Sequence, residues 1–307
     1  DLVTVAGDDL MYWWSSDQLR ERPMAFTGEM TEELGDLSAA VIGVSGTGSI
    51  VAEQLSRLGL GQVTLIDFDQ VEPKNLNRIL NTTSSDAAEH RLKVEAFAEA
   101  IGRFRGPGVA VPIAASIASP EALIAAGQCD LIFSCVDTLE ARYYADLLAT
   151  AFHLPLFDVG VSIKLRENGS ANAIGDVSGR VDYVQPGGST LQDRGVYSAQ
   201  GLSAEYMRNV DPETYQHDVE AGYIQGLAEE APAVISLNMR AAAACVNEFL
   251  ARAYPFRLKN SRYAQTKFSL ATCEEEYKAE RDFPRAELYS REQAEQLLNL
   301  DRRDSES

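Results

Sequence analysis

Residues 41–78 read VIGVSGTGSIVAEQLSRLGLGQVTLIDFDQVEPKNLNR, and this stretch decides the fold. An apolar strand enters a glycine-rich loop at residues 43–48, a helix follows, and a second apolar strand ends at Asp67. Glycines in such a turn let backbone N–H groups approach a phosphate, and the positive end of the helix favours the anion. The loop residues predicted to bind a nucleotide are Gly43, Ser45, Gly46 and Gly48.

Asp67 lies at the end of the second strand, beside the predicted loop. A carboxylate in that place is suited to accept hydrogen bonds from the hydroxyls of a ribose. The alternative is that Asp67 caps a following helix, as aspartates often do. We expect the ribose role.

The sequence on either side continues the alternation of strands and helices. Apolar runs predict strands at residues 39–44, 63–67, 109–113, 131–135 and 156–161. Helical spacing or composition predicts helices at residues 48–58, 89–104, 120–126 and 138–151. This order indicates an α/β fold with a doubly wound, mostly parallel, Rossmann-like sheet. A ligand of such a sheet binds outside the carboxyl ends of its strands.

The alternation stops after residue 162. Residues 162–183 predict antiparallel strands with turns at Asn168-Gly169 and Ser178-Gly179, and residues 186–230 predict a long crossing segment without clear periodicity. A C-terminal helix is predicted at residues 232–253, with one face apolar or small as in a buried or dimer-forming helix, and a strand is expected at residues 262–270. The predicted units are an N-terminal arm (1–36), a nucleotide-binding Rossmann-like core (37–161), the antiparallel strands, crossing segment and helix of the same domain (162–272), and a C-terminal extension (273–307).

Composition excludes several classes of protein. The 307 residues carry a net charge of −19 and contain no block of basic residues, so a phosphate backbone would be repelled and no nucleic acid partner is expected. No apolar run approaches the length of a membrane span. The 4 cysteines form no CxxC pair, which fits a reducing compartment. We expect a soluble, cytoplasmic protein.

The residues after Asp67 indicate which reaction the bound nucleotide takes part in. Asp69, Val71-Glu72 and the run Asn75-Leu76-Asn77-Arg78 have no purpose in hydride transfer. Together with Lys93 and Asp137 they resemble the ubiquitin-activating-enzyme superfamily in its bacterial ThiF-like form. That family shows GxGGxG, then DxDxVExSNLNRQ, then a lysine and an aspartate further along. The resemblance covers about residues 37–161 and extends loosely through GYIQG (222–226) and APAVISLN (231–238).

The resemblance implies an adenylyltransferase, in which the C-terminal carboxylate of a ubiquitin-like or sulfur-carrier protein attacks the α-phosphate of ATP and pyrophosphate leaves. A carboxylate is already ionised, so the difficulty is the meeting of two anions, and cations with Mg²⁺ are the useful groups. By the resemblance, Arg78 and Lys93 bind phosphate, Asn75 contacts phosphate, Asp137 holds Mg²⁺, and Asp69 lies near the metal. The alternatives are surface charges for Arg78 and Lys93 and a helix cap for Asp137.

The resemblance also implies partners. Family members take one more arginine from the N-terminal segment of a partner subunit, and Arg20 or Arg22 occupies roughly that place here. A solvated charge is the alternative for each of these arginines. A homodimer is therefore expected, with a conjugating enzyme as a further partner in a bacterial ubiquitin-like conjugation system.

The sequence departs from the family pattern at several points. Ser45 replaces a loop glycine, Lys74 replaces a small serine, and Ile79 replaces glutamine. Many relatives hold zinc with two CxxC pairs, and because this chain has neither pair, no zinc is predicted. No cysteine lies between Cys135 and Cys245 to accept a thioester, so the acyl-adenylate is expected to pass directly onward, with Ser189 as a speculative hydroxyl acceptor.

Two other classes of function remain open from the sequence. An NAD-dependent Rossmann oxidoreductase would use the glycine loop and Asp67 but would leave Lys93 and residues 75–78 without a role. A non-catalytic pseudoenzyme scaffold would explain the missing acceptor cysteine but not the retained cations. ATP and Mg²⁺ are therefore the predicted cofactors.

Overall fold

The structure is a computed structural model, and it describes residues 28–166, 173–221, 234–257, 263–284 and 291–298. The expected partner-binding arginines, Arg20 and Arg22, lie outside these residues, as do the predicted turn at Asn168-Gly169 and the GYIQG run. In the part of the chain that is described, no helix is long and apolar enough to cross a membrane.

Helices and strands alternate through the first half of the chain, as the sequence predicts. In chain order they are α1 (Gly28–Gly35), β1 (Ser38–Ile42), α2 (Gly46–Leu58), β2 (Gln62–Ile66), α3 (Ser84–Ala88), α4 (Lys93–Arg105), β3 (Ala110–Ile113), α5 (Pro120–Gly127), β4 (Leu131–Ser134), α6 (Leu139–Phe152), β5 (Leu156–Arg166), β6 (Ala173–Val184), α7 (Ala199–Val210), α8 (Pro212–Glu220), α9 (Ile235–Ala253), β7 (Gln265–Ser269), β8 (Glu274–Lys278) and α10 (Arg291–Leu297).

The eight strands form one sheet in the order β3-β2-β1-β4-β5-β6-β7-β8. The first five run parallel and the last three pair antiparallel, so the predicted fold class is confirmed. β1 lies between β2 and β4, where the chain order reverses. The carboxyl ends of β1 and β4 therefore border the crevice in which such sheets bind ligands.

Apolar packing on both faces of the sheet makes the central strands read as continuous hydrophobic runs. Helices α2, α4 and α9 contribute to a core on one face, and α5, α6 and α10 to a core on the other. On the first face the rings of Phe133 and Phe157 stack with centroids 5.0 Å apart, and Phe249 of α9 meets both edge-on. Full burial of each such ring contributes roughly 1.5–3 kcal/mol to folding.

The helix predicted at residues 89–104 begins later, at Lys93. Gln70 and Leu92 form a β-bridge, and the N–H of Val71 donates to the carbonyl of Arg91 at 2.8 Å. The preceding residue, His90, has a φ of +52° and turns the chain into this pairing. Arg91 and Leu92 therefore dock the segment after β2, and Lys93 becomes the first residue of the helix.

The turn predicted at Ser178-Gly179 is wrong, because both residues lie inside strand β6. Gly179 pairs with Phe268 of β7. A Cβ on Gly179 would lie 2.2 Å from the Cζ atom of that ring. The glycine thus makes room for an aromatic side chain across the ladder, a role that glycine also takes in strand interiors.

The crossing segment contains helices α7 and α8, which the sequence pattern did not predict. Its first part is held on α6 by Asp146, whose Oδ2 accepts hydrogen bonds from the N–H of Leu191 at 2.9 Å and the hydroxyl of Tyr197 at 2.8 Å. The other carboxyl oxygen of Asp146 is buried with no hydrogen-bond partner among the described residues. Burial raises the pKa of Asp146 to about 6, opposed by the hydrogen bonds from Leu191 and Tyr197.

The pKa of Asp146 predicts a pH dependence of stability. Its folded-state pKa of about 6 lies above its usual 3.8, so its neutral form favours the fold. That contribution is complete below pH 3.8 and is lost as the pH rises through 6, a change of about 2–3 kcal/mol. Asp146→Asn stays neutral, so the unfolding free energy of the wild type minus that of the variant should fall from pH 4 to pH 7, measured by urea unfolding.

The matched control for that prediction is Asp211→Asn. Asp211 caps α8, and its hydrogen bonds from Thr214 lower its pKa, so its ionised form favours the fold. The difference between wild type and Asp211→Asn should therefore change in the opposite direction, rising as the pH rises. A flat difference for Asp146→Asn would mean that the buried carboxyl titrates normally.

Candidate nucleotide-binding site

The glycine loop leaves β1 through a turn that lies between the ends of two neighbouring strands. Gly43 has a φ of +84°, and its N–H donates to the carbonyl of Ile66 in β2 at 2.8 Å. A Cβ on Gly43 would lie 2.9 Å from the carbonyl oxygen of Cys135, just beyond β4. The loop is thus in close backbone contact with both neighbours of β1, which leaves no room for a side chain at this position.

Two further glycines allow the loop to fold tightly onto the start of α2. A Cβ on Gly48 would lie 1.7 Å from the carbonyl oxygen of Gly43, and one on Gly46 would lie 2.4 Å from the amide nitrogen of Asn238 in α9. Ser45, which replaces a family glycine, precedes the helix and makes no side-chain capping hydrogen bond within the described chain. The loop therefore presents mainly backbone groups at the N-terminal end of α2, as phosphate binding requires.

Asp67 joins the two loops at the carboxyl ends of β1 and β2. Its Oδ2 accepts a hydrogen bond from the N–H of Val44 at 2.7 Å, and its Oδ1 accepts one from the N–H of Asp69 at 2.9 Å. The alternative role as a helix cap is wrong, since both donors belong to loops. Burial raises the pKa of Asp67, and the positive charge of Lys93 opposes that rise.

Lys93 is buried and paired, so the alternative of a surface charge is wrong for it. Its Nζ lies 2.7 Å from Oδ2 of Asp69, with 6% of the lysine side chain exposed against 53% of the aspartate. Its backbone N–H also donates to the carbonyl of Asp69 at 2.9 Å. A cation is therefore held at the start of α4, and its partner carboxylate faces solvent.

The run Asn75–Arg78 forms a short turn beside the glycine loop. Asn75 is buried in a 3-10 turn (Pro73–Asn75), and its side-chain oxygen accepts from the N–H of Glu72 at 3.0 Å. The guanidinium of Arg78 donates to the carbonyl of Lys74 at 2.9 Å. The stem of Arg78 passes 3.2 Å from the point where a Cβ on Gly46 would lie, which places its charge beside the loop.

Asp137 stands on the turn that follows β4, and its side chain is exposed. The cap of α6 is Thr138, whose hydroxyl accepts from the N–H of Ala141 at 3.3 Å, so the alternative of a helix cap is wrong for Asp137. The Asp137 side chain makes no hydrogen bond or ion pair with the part of the chain that is described. The preceding Val136 lies 3.1 Å from the Cβ position of Gly43, so this turn and the glycine loop meet at the crevice.

The polar and charged groups of this site suit a nucleoside triphosphate. The glycine loop offers backbone N–H groups, Lys93 and Arg78 offer cations, and Asp67 offers a half-buried carboxylate. Within the described ranges, no cluster of three or more His, Cys, Asp or Glu residues could hold a metal ion by itself. Mg²⁺ in phosphate sites commonly binds one or two carboxylates together with substrate phosphates and water. The free carboxylate of Asp137 fits that requirement.

The residues that could accept an activated acyl group as a thioester or oxyester are poorly placed. Burial raises the pKa of the Cys135 thiol and of the Cys245 thiol, so little nucleophilic thiolate is available at either residue. Ser189 is completely buried, and its hydroxyl accepts a hydrogen bond from Nε of Arg194 at 2.9 Å. The speculative oxyester role of Ser189 is therefore not supported by its position.

Sequence reasoning missed three residues that line or hold this site. Asn238 contacts the loop at Gly46, although the sequence around it was noted only for its resemblance. Arg142 donates to the carbonyl of Val136 at 2.6 Å, and Glu205 accepts from the start of α6. One feature of the sequence could have indicated Arg142: it is the single basic residue of helix α6, which packs on the sheet.

Comparisons with known proteins bear on this site. The sequence model of the ThiF family matches residues 18–256. Ubiquitin-like modifier-activating enzyme 5 of Culex quinquefasciatus is 33% identical over 169 residues, which cover 51% of this chain and 39% of that protein. The Drosophila grimshawi protein of the same name is 31% identical over 169 residues, with coverage of 51% and 39%. The chain thus spans about two fifths of the length of these curated relatives.

Solved structures share the fold. E. coli MccB with MccA has a TM-score of 0.62 and 16% identity, covering 85% of this chain and 68% of that chain. MccB with ATP has a TM-score of 0.61 and 15% identity, covering 82% and 66%. PaaA has a TM-score of 0.54 and 19% identity, covering 82% and 75%. At these identities the likeness establishes the fold alone.

The close approach at Gly48 predicts the effect of adding one methyl group. Gly48→Ala would place a Cβ 1.7 Å from the carbonyl oxygen of Gly43, so the loop must move. We expect a loss of about 1–3 kcal/mol in unfolding free energy and weaker binding of ATP, measured by thermal unfolding and nucleotide titration. Gly102→Ala is the matched control, because nothing lies within 4 Å of its Cβ position in helix α4.

The control should gain about 0.5–1 kcal/mol, since alanine is favoured over glycine within a helix, and should bind ATP as the wild type does. Equal melting temperatures for Gly48→Ala and the wild type would contradict the close approach of the loop backbone at Gly48.

Proposed function

Because this chain belongs to the ThiF family, we propose that it is an ATP-dependent adenylyltransferase that activates the C-terminal carboxylate of a small ubiquitin-like or sulfur-carrier protein. The observation that carries the proposal is the crevice at the ends of β1, β2 and β4. A glycine loop, a buried lysine paired with Asp69 and a free carboxylate on Asp137 converge there.

The proposed reaction is a nucleophilic displacement at phosphorus. A carboxylate oxygen of the carrier protein forms a bond to the α-phosphorus of ATP, and the bond from that phosphorus to the oxygen bridging to the β-phosphate breaks. Pyrophosphate leaves with the electron pair, and an acyl-adenylate remains. No proton is removed from the attacking carboxylate, so the site needs cations to bring two anions together and needs no general base.

The roles of the cations follow from their placement. Lys93 is buried, where the low dielectric strengthens its attraction to phosphate, and the pair with Asp69 orients its ammonium group before the nucleotide binds. Arg78 flanks the glycine loop, and Asn75 shapes the turn that carries Arg78. Asp137 would hold Mg²⁺, which supplies further positive charge to the phosphates when it is bound.

The substrate class is supported by the relatives. Those of highest identity named above are ubiquitin-like modifier-activating enzymes, and MccB has been solved with ATP and with MccA. We place this chain in a bacterial ubiquitin-like conjugation system in the cytoplasm, with a conjugating enzyme as a further partner. Cys135, Cys245 and Ser189 are buried or unreactive, and the exposed Cys273 lies between β7 and β8, at the edge of the sheet away from β1. The proposed acyl-adenylate therefore passes directly to the next acceptor.

The decisive measurement is ATP–pyrophosphate exchange in the presence of each ubiquitin-like protein encoded beside this chain. Lys93→Ala and Asp137→Asn should each lower the exchange rate by about 100-fold or more, since each removes a charge that acts on the phosphates. The matched control is Lys278→Ala, on the edge strand β8, which should leave the rate unchanged.

Undiminished exchange in both site variants would refute the proposed chemistry. A titration in which NAD binds and ATP does not would instead favour the oxidoreductase.

The expected borrowed arginine predicts complementation between subunits. In the proposed homodimer, Arg20 or Arg22 of one subunit completes the site of the other. Inactive Lys93→Ala protein and inactive protein lacking both arginines should, when mixed and reassembled, recover about a quarter of the wild-type exchange rate, because half the dimers carry one intact site.

No recovery on mixing, although each variant forms mixed dimers, would show that the arginines act within their own subunit or not at all. Exchange by a monomer would exclude the dimeric site.

A further inference from the structure

The turn that carries Asp137 is tied down on both sides, and the two ties have different origins. We call residues 135–138 the Asp137 turn. Before Asp137, the turn is fixed by Arg142 of α6, which is itself paired with a carboxylate of the central sheet. After Asp137, it is fixed by a carboxylate from the crossing segment.

The first tie is Arg142. Its Nη2 donates to the carbonyl of Val136 at 2.6 Å, and its Nε donates to Oδ1 of Asp158 at 3.3 Å. Asp158 lies in β5, is completely buried, and also accepts from Ser134 at 2.7 Å and from Arg180 at 2.7 Å. Arg142 belongs to α6 and is anchored on the sheet through Asp158, so this tie involves no residue of the crossing segment.

The second tie is Glu205 of helix α7. Its Oε1 accepts from the N–H of Leu139 at 3.1 Å, and its Oε2 accepts from the N–H of Glu140 at 2.8 Å. These are the first two N–H groups of α6, which have no acceptor within their own helix. Glu205 is buried, so the two hydrogen bonds are sheltered from water. A negative charge at this helix end is also favoured by the helix dipole.

Helix α7 lies directly against the start of α6. A Cβ on Gly201, one turn before Glu205, would lie 2.9 Å from Cδ1 of Leu139. The side chain of Thr138 satisfies only the N–H of Ala141. The first two amides of α6 therefore rely on Glu205, and any displacement of α7 removes their acceptor.

We propose that Glu205 is a positioning residue for adenylation, which ties the crossing segment to the Asp137 turn and so sets the position of the Asp137 carboxylate. The proposal rests on the function proposed above, because Asp137 is given its role there. Its consequence is that metal binding at Asp137 and placement of the crossing segment are coupled: when α7 is displaced, the Asp137 turn loosens on the side that the sheet does not hold.

The test compares Glu205→Gln with the wild type in two measurements. Glutamine keeps the volume but has one acceptor oxygen where two are needed, so one amide of α6 is left unpaired. Hydrogen–deuterium exchange of peptides covering residues 137–145, without nucleotide, should be about tenfold faster. The Mg²⁺ concentration that gives half-maximal ATP–pyrophosphate exchange should rise by about tenfold, whereas the KM for the carrier protein should stay unchanged.

Two further variants complete the test. Glu205→Asp keeps the charge on a shorter side chain, and its values in both measurements should fall between those of the wild type and Glu205→Gln. This variant replaces Glu205→Gln in the test if the glutamine variant folds poorly. Glu213→Gln removes an exposed carboxylate from the neighbouring helix α8 and should change neither measurement.

An unchanged Mg²⁺ dependence in folded Glu205→Gln would overturn the proposal, and so would unchanged deuterium uptake. Failure of the proposed function would give a different result. The wild type itself would show no ATP–pyrophosphate exchange with any carrier protein, and the proposed role of Glu205 in adenylation would then also be excluded.

Discussion

The close backbone contact at the end of β1 is the constraint on which the rest of the site depends. Gly43 hydrogen-bonds to the end of β2 and lies against the residue after β4, while the carbonyl of Gly43 closely approaches Gly48 at the start of α2. No side chain fits at either glycine. This contact brings three strand ends and one helix end to a single point, and the polar side chains that follow those strands converge there.

Charge is distributed unevenly around that point. The chain carries a net charge of −19, yet two cations lie near the glycine loop and the loop after β2, Arg78 beside Gly46 and Lys93 beside Asp69. Lys93 is buried, and its partner Asp69 pairs with it at 2.7 Å without being buried itself. A separate buried network of arginines and carboxylates lies behind Asp137 and anchors its turn. Attraction of phosphate and rigidity of the turn are thus supplied by different residues.

The sequence predicted the parallel half of the fold well and the remainder less well. Strands β1, β2 and β4 read as apolar runs because they are covered on both faces, and that pattern is visible in composition alone. The predicted start of α4 is wrong because Arg91 and Leu92 pair with the segment after β2, which is a contact distant in sequence. The turn predicted at Gly179 is wrong because nothing near it in the chain reveals that Phe268, across the ladder, occupies the space of a side chain there. Helices α7 and α8 have few buried residues, so they lack a strong periodic signal.

By itself, the sequence determined the α/β class, the glycine loop and the identity of the charged residues of the family motif, because local spacing and residue chemistry suffice for these. Only the tertiary structure decided that Lys93 is buried against Asp69, that Thr138 and not Asp137 caps α6, and that Ser189 is inaccessible. Only the structure brought Arg142 and Glu205 to the two sides of Asp137. The physical reason is that burial and hydrogen-bond partners depend on elements far apart in the chain, whereas spacing within a motif does not.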